Sequence, residues 1–252
     1  MKFRRNCPAG FTLPELLFSM AIGAMVLMLA ASMLGTSGES YERVGANIAS
    51  EREARALITQ LSSDLSTGFF HKDGLIQRDS SLWAKDQLGF LCLKPDEAQS
   101  KNQAIGDLCA VNYYIVDKEI GGKIVRCLMR GFRNSGETFE KLKNDRVAEL
   151  FVPPTDNSDE PIAFGVISFT VIPKVLDNAG RQIDWDITRN PTGPTAFTFR
   201  LILARRDLAA KLRTTSDWDG GFKLIGLPEK ANENPGLEIY ETTLRFGNHG
   251  KL

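Results

Sequence analysis

The chain has 252 residues, 42% of them hydrophobic and 25% charged, a globular composition with enough apolar material for a real core. Thirty-one basic side chains balance 31 acidic ones, so net charge gives no ground for nucleic-acid binding. The charge is unevenly placed: Lys2, Arg4 and Arg5 fall in the first ten residues, and the remainder holds 28 basic against 31 acidic residues, a formal charge of −3.

From Phe11 to Ser37 the only ionisable side chain is Glu15. Leu16 to Leu34 is interrupted by only Ser19, Gly23 and Ser32, and is long enough for a membrane-spanning helix of about 20 residues. The basic residues ahead of it predict a cytoplasmic N-terminus and leave residues from about 38 onward outside. The run exceeds a secretory signal core, and no A-x-A site follows it.

A short basic leader, Gly10, then Phe11-Thr12-Leu13-Pro14-Glu15-Leu16 and an apolar helix closely resembles the class III signal of type IV prepilins and type II secretion pseudopilins. The resemblance covers about the first 25 residues. It implies cleavage by prepilin peptidase between Gly10 and Phe11, methylation of the new amine of Phe11, and an assembly role for Glu15. Pro14 takes a slot more often aliphatic; in a first helical turn it costs little, because that N–H has no intrahelical partner. The cut exposes a charged amine on Phe11 close to Glu15, and both are costly in hydrocarbon when unpaired. A neighbouring subunit's amine can meet the carboxylate, which makes the buried charge a registration device. The blander role of Glu15 is to favour a helix N-terminus electrostatically.

The helix is expected to run from about 13 to 67, roughly 80 Å at 1.5 Å per residue. Gly35, Gly38 and Gly45 should loosen it. Tyr41, Val44, Ile48, Ala54, Ile58, Leu61 and Leu65 form one apolar stripe, with Glu39–Arg43 and Glu51–Arg55 as i,i+4 pairs and Gly68 as the stop. Strands are predicted at Leu88–Leu93, Ala110–Val116 and Lys123–Arg130, the last two joined through a Gly121-Gly122 turn. A short helix is expected at Glu137–Lys143. Further strands follow at Leu150–Val152, Phe164–Ile172, Phe197–Leu203 and Glu238–Phe246. Segments 153–161, 177–194 and 213–236 read as loops. Short links without a βαβ rhythm argue for antiparallel sheet.

Phe169-Thr-Val-Ile-Pro173, Trp185, Pro194 and the strand at Phe197–Leu203 resemble the minor pseudopilin J and minor pilin W type. Glu53-Ala-Arg-Ala56, Gly89–Pro95 and Asp107–Val111 are similar to the prepilin-like proteins called Verru_Chthon cassette protein C. About 185 residues follow the helix, a size that fits a minor component.

His71 and His249 stand in no zinc-binding spacing, and neither a G-x-S-x-G elbow nor a phosphate-loop signature is present. Asp217-Trp-Asp219-Gly-Gly is the weak calcium candidate. A twelve-residue loop starting at Asp217 would put Gly221 where an oxygen ligand belongs and Pro228 where the final glutamate belongs, with Glu229 one residue late. No other cofactor is expected. With Cys7 lost in the leader, Cys92, Cys109 and Cys127 allow at most one disulfide. Cys109–Cys127 has the advantage of facing hairpin strands, Cys92–Cys109 stays open, and buried thiols are the simplest state.

The fold class expected is α+β: a long hydrophobic N-terminal helix packed on an antiparallel β-sheet head. Its parts are a leader at 1–10, a transmembrane and filament-core helix at 11–37, an amphipathic continuation at 38–68, and a periplasmic head at 69–252. The expected role is non-enzymatic, a subunit of a type II secretion pseudopilus or type IV pilus in the bacterial inner membrane. Its partners would be other pilins or pseudopilins, prepilin peptidase and the inner-membrane assembly platform, with no nucleic acid. The alternative is a bitopic envelope protein whose periplasmic head binds a ligand or partner and never enters a filament.

Overall fold

The computed structural model describes residues 12–95, 106–156, 158–177, 181–186, 193–221 and 230–246; of 36, 39–44 and 46–49 it describes the backbone alone. The leader, Cys7, Gly10, Phe11, Pro228, Glu229 and His249 lie outside these residues, as do the side chains of Glu39–Arg43, Tyr41, Val44 and Ile48. The chain forms two compact units, Met1–Asn47 and Ile48–Leu252, whose boundary falls within helix α1, Leu13–Ser66.

In the first unit α1 continues unbroken through Gly35, Gly38 and Gly45. The expected loosening does not interrupt it: glycine lowers helix propensity by about 1 kcal/mol without removing a hydrogen bond. Its segment Leu13–Gly35 has a mean hydropathy of 2.2 and buries nothing within the chain. Apolar side chains point outward all round, from Leu16 at 52% to Met28 at 76% exposure. The hydroxyls of Ser19 and Ser32 donate to the carbonyls of Leu16 and Leu29 at 2.9 and 2.8 Å, which satisfies both donors within the helix.

The second unit is an α+β head with two antiparallel sheets. Sheet A takes its strands from β1 (Gly68–Phe69), β2 (Leu75–Gln77), β3 (Gln87–Leu93), β4 (Leu108–Ile120), β5 (Lys123–Arg133) and β6 (Glu160–Phe164). Their order is β1-β3-β4-β5-β6, with β2 also on β3. Sheet B follows the order β10-β9-β7-β8, from β7 (Val166–Leu176), β8 (Gln182–Asp184), β9 (Ala196–Ala204) and β10 (Leu237–Arg245). Between the strands lie α2 (Ser135–Lys143), a 3-10 turn at Val147–Phe151, α3 (Arg206–Ala209) and α4 (Thr215–Trp218).

The β4–β5 hairpin matches its sequence signal. Gly121 and Gly122 have φ of 59° and 75°, the left-handed pair that a two-residue hairpin turn requires. Pairing then runs unbroken from Ile120↔Lys123 to Ala110↔Arg133. In α2, Asn134 caps the start by accepting from the Glu137 N–H at 3.0 Å, and Lys141 and Lys143 stand in the last turn.

Several expectations change: the segments 177–194 and 213–236, read as loops, hold β8 and α4. Leu150–Val152 is not a strand; Leu150 and Phe151 close the 3-10 turn and bury against Leu91 and Ala110 on the outer face of sheet A. The run Phe164–Ile172 is two strands, because Gly165 at φ 71° turns the chain from β6 in sheet A into β7 in sheet B. Gly68 is a residue of β1 instead of a helix stop; a Cβ there would lie 3.0 Å from the Phe90 ring.

The core lies where both sheets face the last turns of α1. Ala54, Leu57, Leu61 and Leu65 are at most 1% exposed and cluster with Leu88, Phe90, Val111 and Tyr113 of sheet A and Phe169, Phe197, Phe199 and Leu203 of sheet B. Leu57 holds the position the stripe gave to Ile58, which is half-buried. Phe246, just past β10, closes the seam with edge contacts to Phe90 at 5.6 Å and Phe197 at 5.3 Å. Leu61→Ala should therefore lower the stability of the head by about 2–5 kcal/mol, and Ile58→Ala by much less, in denaturant titrations followed by circular dichroism.

Candidate functional site

Two sites matter: the N-terminal turn of α1, and the polar lock that fastens its C-terminal turn into the head. At the first, Thr12 stands just ahead of the helix and its carbonyl accepts from Leu16 N–H at 3.1 Å. Its hydroxyl donates to the exposed Glu15 carboxylate at 3.4 Å. Pro14 occupies the first turn, where no donor is lost. Glu15 is the one acidic residue of that turn and opens a stretch with no other charge up to Gly35.

At the other end of α1, Asp64 is fully buried. Arg130 of β5 grips it with two hydrogen bonds, Nε to Oδ2 at 2.8 Å and Nη2 to Oδ1 at 3.2 Å. The Tyr113 hydroxyl donates to Oδ2 at 2.5 Å, and Lys94 Nζ lies 2.8 Å from Oδ1. Tyr113 and Arg130 stand directly opposite each other in the β4–β5 ladder. Burial alone would push the Asp64 carboxyl up; the hydrogen bonds and charge of Arg130, helped by Lys94 and Tyr113, outweigh it and hold the group below its ordinary 3.8. Burial and the Asp64 charge push the Tyr113 phenol well above its ordinary value, so it remains a donor. This network had not been singled out in the sequence, although an aspartate beside Leu61 and Leu65 at helical spacing was its visible sign.

A second lock holds the Asp217–Gly221 segment. Arg126, fully buried, donates from Nε and Nη2 to Asp117 at 2.7 and 3.1 Å, from Nη1 to the Trp218 carbonyl at 2.9 Å, and pairs with Asp219 at 2.9 Å. The buried Trp218 indole donates to the Ile124 carbonyl at 2.9 Å. The Asp217 carboxylate accepts from the Arg213 and Thr214 N–H groups, both at 2.9 Å, in a capping box that starts α4. Lys85 pairs with Asp219 at 2.7 Å on the wall of an open cleft of about 420 Å³, lined also by Asp79 and Trp83. The two carboxylates of the calcium candidate are thus occupied by a helix cap and two cations. Among the described residues, no group of three or more His, Cys, Asp or Glu is placed to hold a metal.

The expected Cys109–Cys127 bridge is excluded by register. Cys127 stands opposite Val116, seven residues along β4 from Cys109, a separation of about 23 Å at 3.3 Å per residue. The two also face opposite sides of sheet A: Cys109 belongs to the core around α1, Cys127 to a cluster with Tyr114 and Met129.

Known proteins add two observations. The prokaryotic N-terminal methylation motif matches residues 5–31. A type IV-like pilin from Thermus thermophilus is similar in structure, at 17% identity over 78% of this chain and 96% of that one, with a TM-score of 0.36, a superposition too loose to carry residue roles. No characterised protein matches the chain by sequence. The N-terminal segment thus carries the methylation motif found at the start of class III pilins and pseudopilins, and it runs into an apolar helix followed by an α+β head.

Asp64→Asn removes the charge that Arg130 and Lys94 share, and should destabilise the head by about 3–5 kcal/mol. Because the folded carboxyl titrates below its unfolded value, its contribution is complete above pH 3.8 and disappears as pH falls through the lower folded value. Thermal melts from about pH 5 to about pH 2 should show that acid limb in the native chain and lose it in D64N.

Proposed function

We propose that this chain is a minor pilin-like subunit, cut by prepilin peptidase between Gly10 and Phe11, methylated at Phe11 and assembled through α1 into a type II secretion pseudopilus or type IV pilus. The single observation that carries the reading is the methylation motif at residues 5–31 overlapping an apolar helical segment, Leu13–Gly35, whose one charge is Glu15 in the first turn. Before assembly that segment serves as a single-pass anchor in the inner membrane, with the basic leader inside and the head in the periplasm. Afterwards the same surface packs against neighbouring helices. Relative to lipid the gain from apolar contact is small, so the preference for assembly must come from close packing and from the pairing of Glu15 with a neighbour's Phe11 amine.

The mature protein isolated from its membrane should begin at N-methyl-Phe11, as read by mass spectrometry of its first peptide. An intact Met1 would leave Glu15 without a partner amine and defeat the proposal. Glu15→Ala should keep membrane insertion and cleavage yet enter sheared filaments about tenfold less or worse, the factor equivalent to about 1.4 kcal/mol of lost pairing. Normal incorporation of that variant would favour a bitopic envelope protein whose head acts alone.

A further inference from the structure

Cys92 and Cys109 face each other across β3 and β4, in a register that runs without a shift from Leu88↔Tyr113 to Leu93↔Leu108. Residues opposite in an antiparallel ladder share a face, and both thiols are fully buried in the core that contains Leu61 and Leu65. Lys94 N–H donates to the Asp107 carbonyl at 2.9 Å, while Leu93 N–H turns away to Thr67 at 3.2 Å. That alternation makes Cys92 and Cys109, both thiols in the folded structure, a hydrogen-bonded pair with Cα atoms about 5.5 Å apart, inside the span of about 4.4–6.8 Å that a disulfide needs; the Cβ atoms of such a pair, about 5.5 Å apart, must draw in to about 4.5 Å for the bond to form.

We propose that Cys92 and Cys109 form a cross-strand disulfide, closed by exchange with a soluble disulfide donor before α1 covers the two strands. The inference rests on the reading above in one respect: such donors persist outside the cytoplasm, where the head would fold. One cysteine thiolate attacks the donor disulfide and expels a donor thiolate; the second then displaces the remaining donor sulfur. The two cysteines lose two electrons, the donor gains them, and the two thiol protons end on the two released donor thiols. Timing matters because the folded core shuts the pair in. Burial raises the Cys92 thiol far above its ordinary value, so in the finished head neither the reactive thiolate nor a path to it is at hand.

The full-length chain, reduced and denatured, is refolded in detergent under two regimes. In one, a mixture of reduced and oxidised glutathione is present throughout; in the other, oxidised glutathione is added only after folding in reductant. The first should give a Cys92–Cys109 cross-linked peptide two hydrogens lighter than the reduced pair, with Cys127 alone alkylated after denaturation. The second should leave all three thiols alkylatable after denaturation. Cys127→Ser should bridge like the native chain, whereas Cys92→Ser should leave Cys109 a thiol. If the first regime yields alkylated Cys92 and Cys109, or glutathione on each, the inference is wrong. Protease access to the head in spheroplasts reports its location independently, so an error of placement is distinguishable from an error of pairing.

Discussion

A carboxylate with no water around it governs how the head is put together. Asp64 in the core would cost several kcal/mol if left alone, and no apolar neighbour could offset that. Besides Gln60 one turn earlier in α1, which donates to Oδ1 at 3.2 Å, three donors converge on it from the sheet: Lys94 just past β3, Tyr113 on β4 and Arg130 on β5. Hydrophobic packing has no direction of its own, and Leu57, Leu61 and Leu65 would tolerate small rotations of the helix. The aspartate would not. A one-residue slip of either strand would turn Tyr113 or Arg130 to the far face of sheet A and leave a buried charge without its partner. The apolar stripe thus supplies the attraction between helix and sheets, while Asp64 selects one arrangement among those the stripe allows.

Much of this was visible in the sequence, and the parts that were not share a cause. The Gly121-Gly122 turn defines the β4–β5 register, and with it the pairings Asp117↔Arg126 and Tyr113↔Arg130. Those follow from local chemistry. That Asp64 would land on one pair and Trp218 and Asp219 on the other does not, because such contacts join segments far apart in the chain. Gly165 shows the same limit. An apolar run through Phe164–Ile172 looks like one strand; whether its glycine is a pleat or a corner depends on which neighbours each half finds. The N-terminal site was the opposite case. Gly10, Phe11 and Glu15 are recognisable because the motif that holds them is a linear segment, legible without a fold.

Two stretches carry acidic residues whose carboxylates make structural connections. Asp217 and Asp219 resemble the start of a cation loop, yet one starts α4 and the other joins Arg126 and Lys85. Asp86 is fully buried and accepts the N–H groups of Asp79 and Val171, both at 2.7 Å, so its side chain substitutes for a strand along the edge of β7. Burial pushes its carboxyl up, the reverse of Asp64, since its main compensation is two amide donors with no guanidinium in direct contact. Among the described residues, the buried charged side chains Asp64, Asp86, Arg126 and Arg130 each make a connection that apolar side chains could not.

The corner at Gly165 has a consequence for synthesis. Because sheet B is made from the last third of the chain, Leu57, Leu61 and Leu65 leave the ribosome well ahead of Phe197, Phe199 and Leu203, which cover them in the finished head. At about 5–20 residues per second the interval is on the order of ten seconds. Throughout it, the nascent chain displays a greasy, half-clothed helix that stays uncovered until the carboxyl-terminal strands arrive.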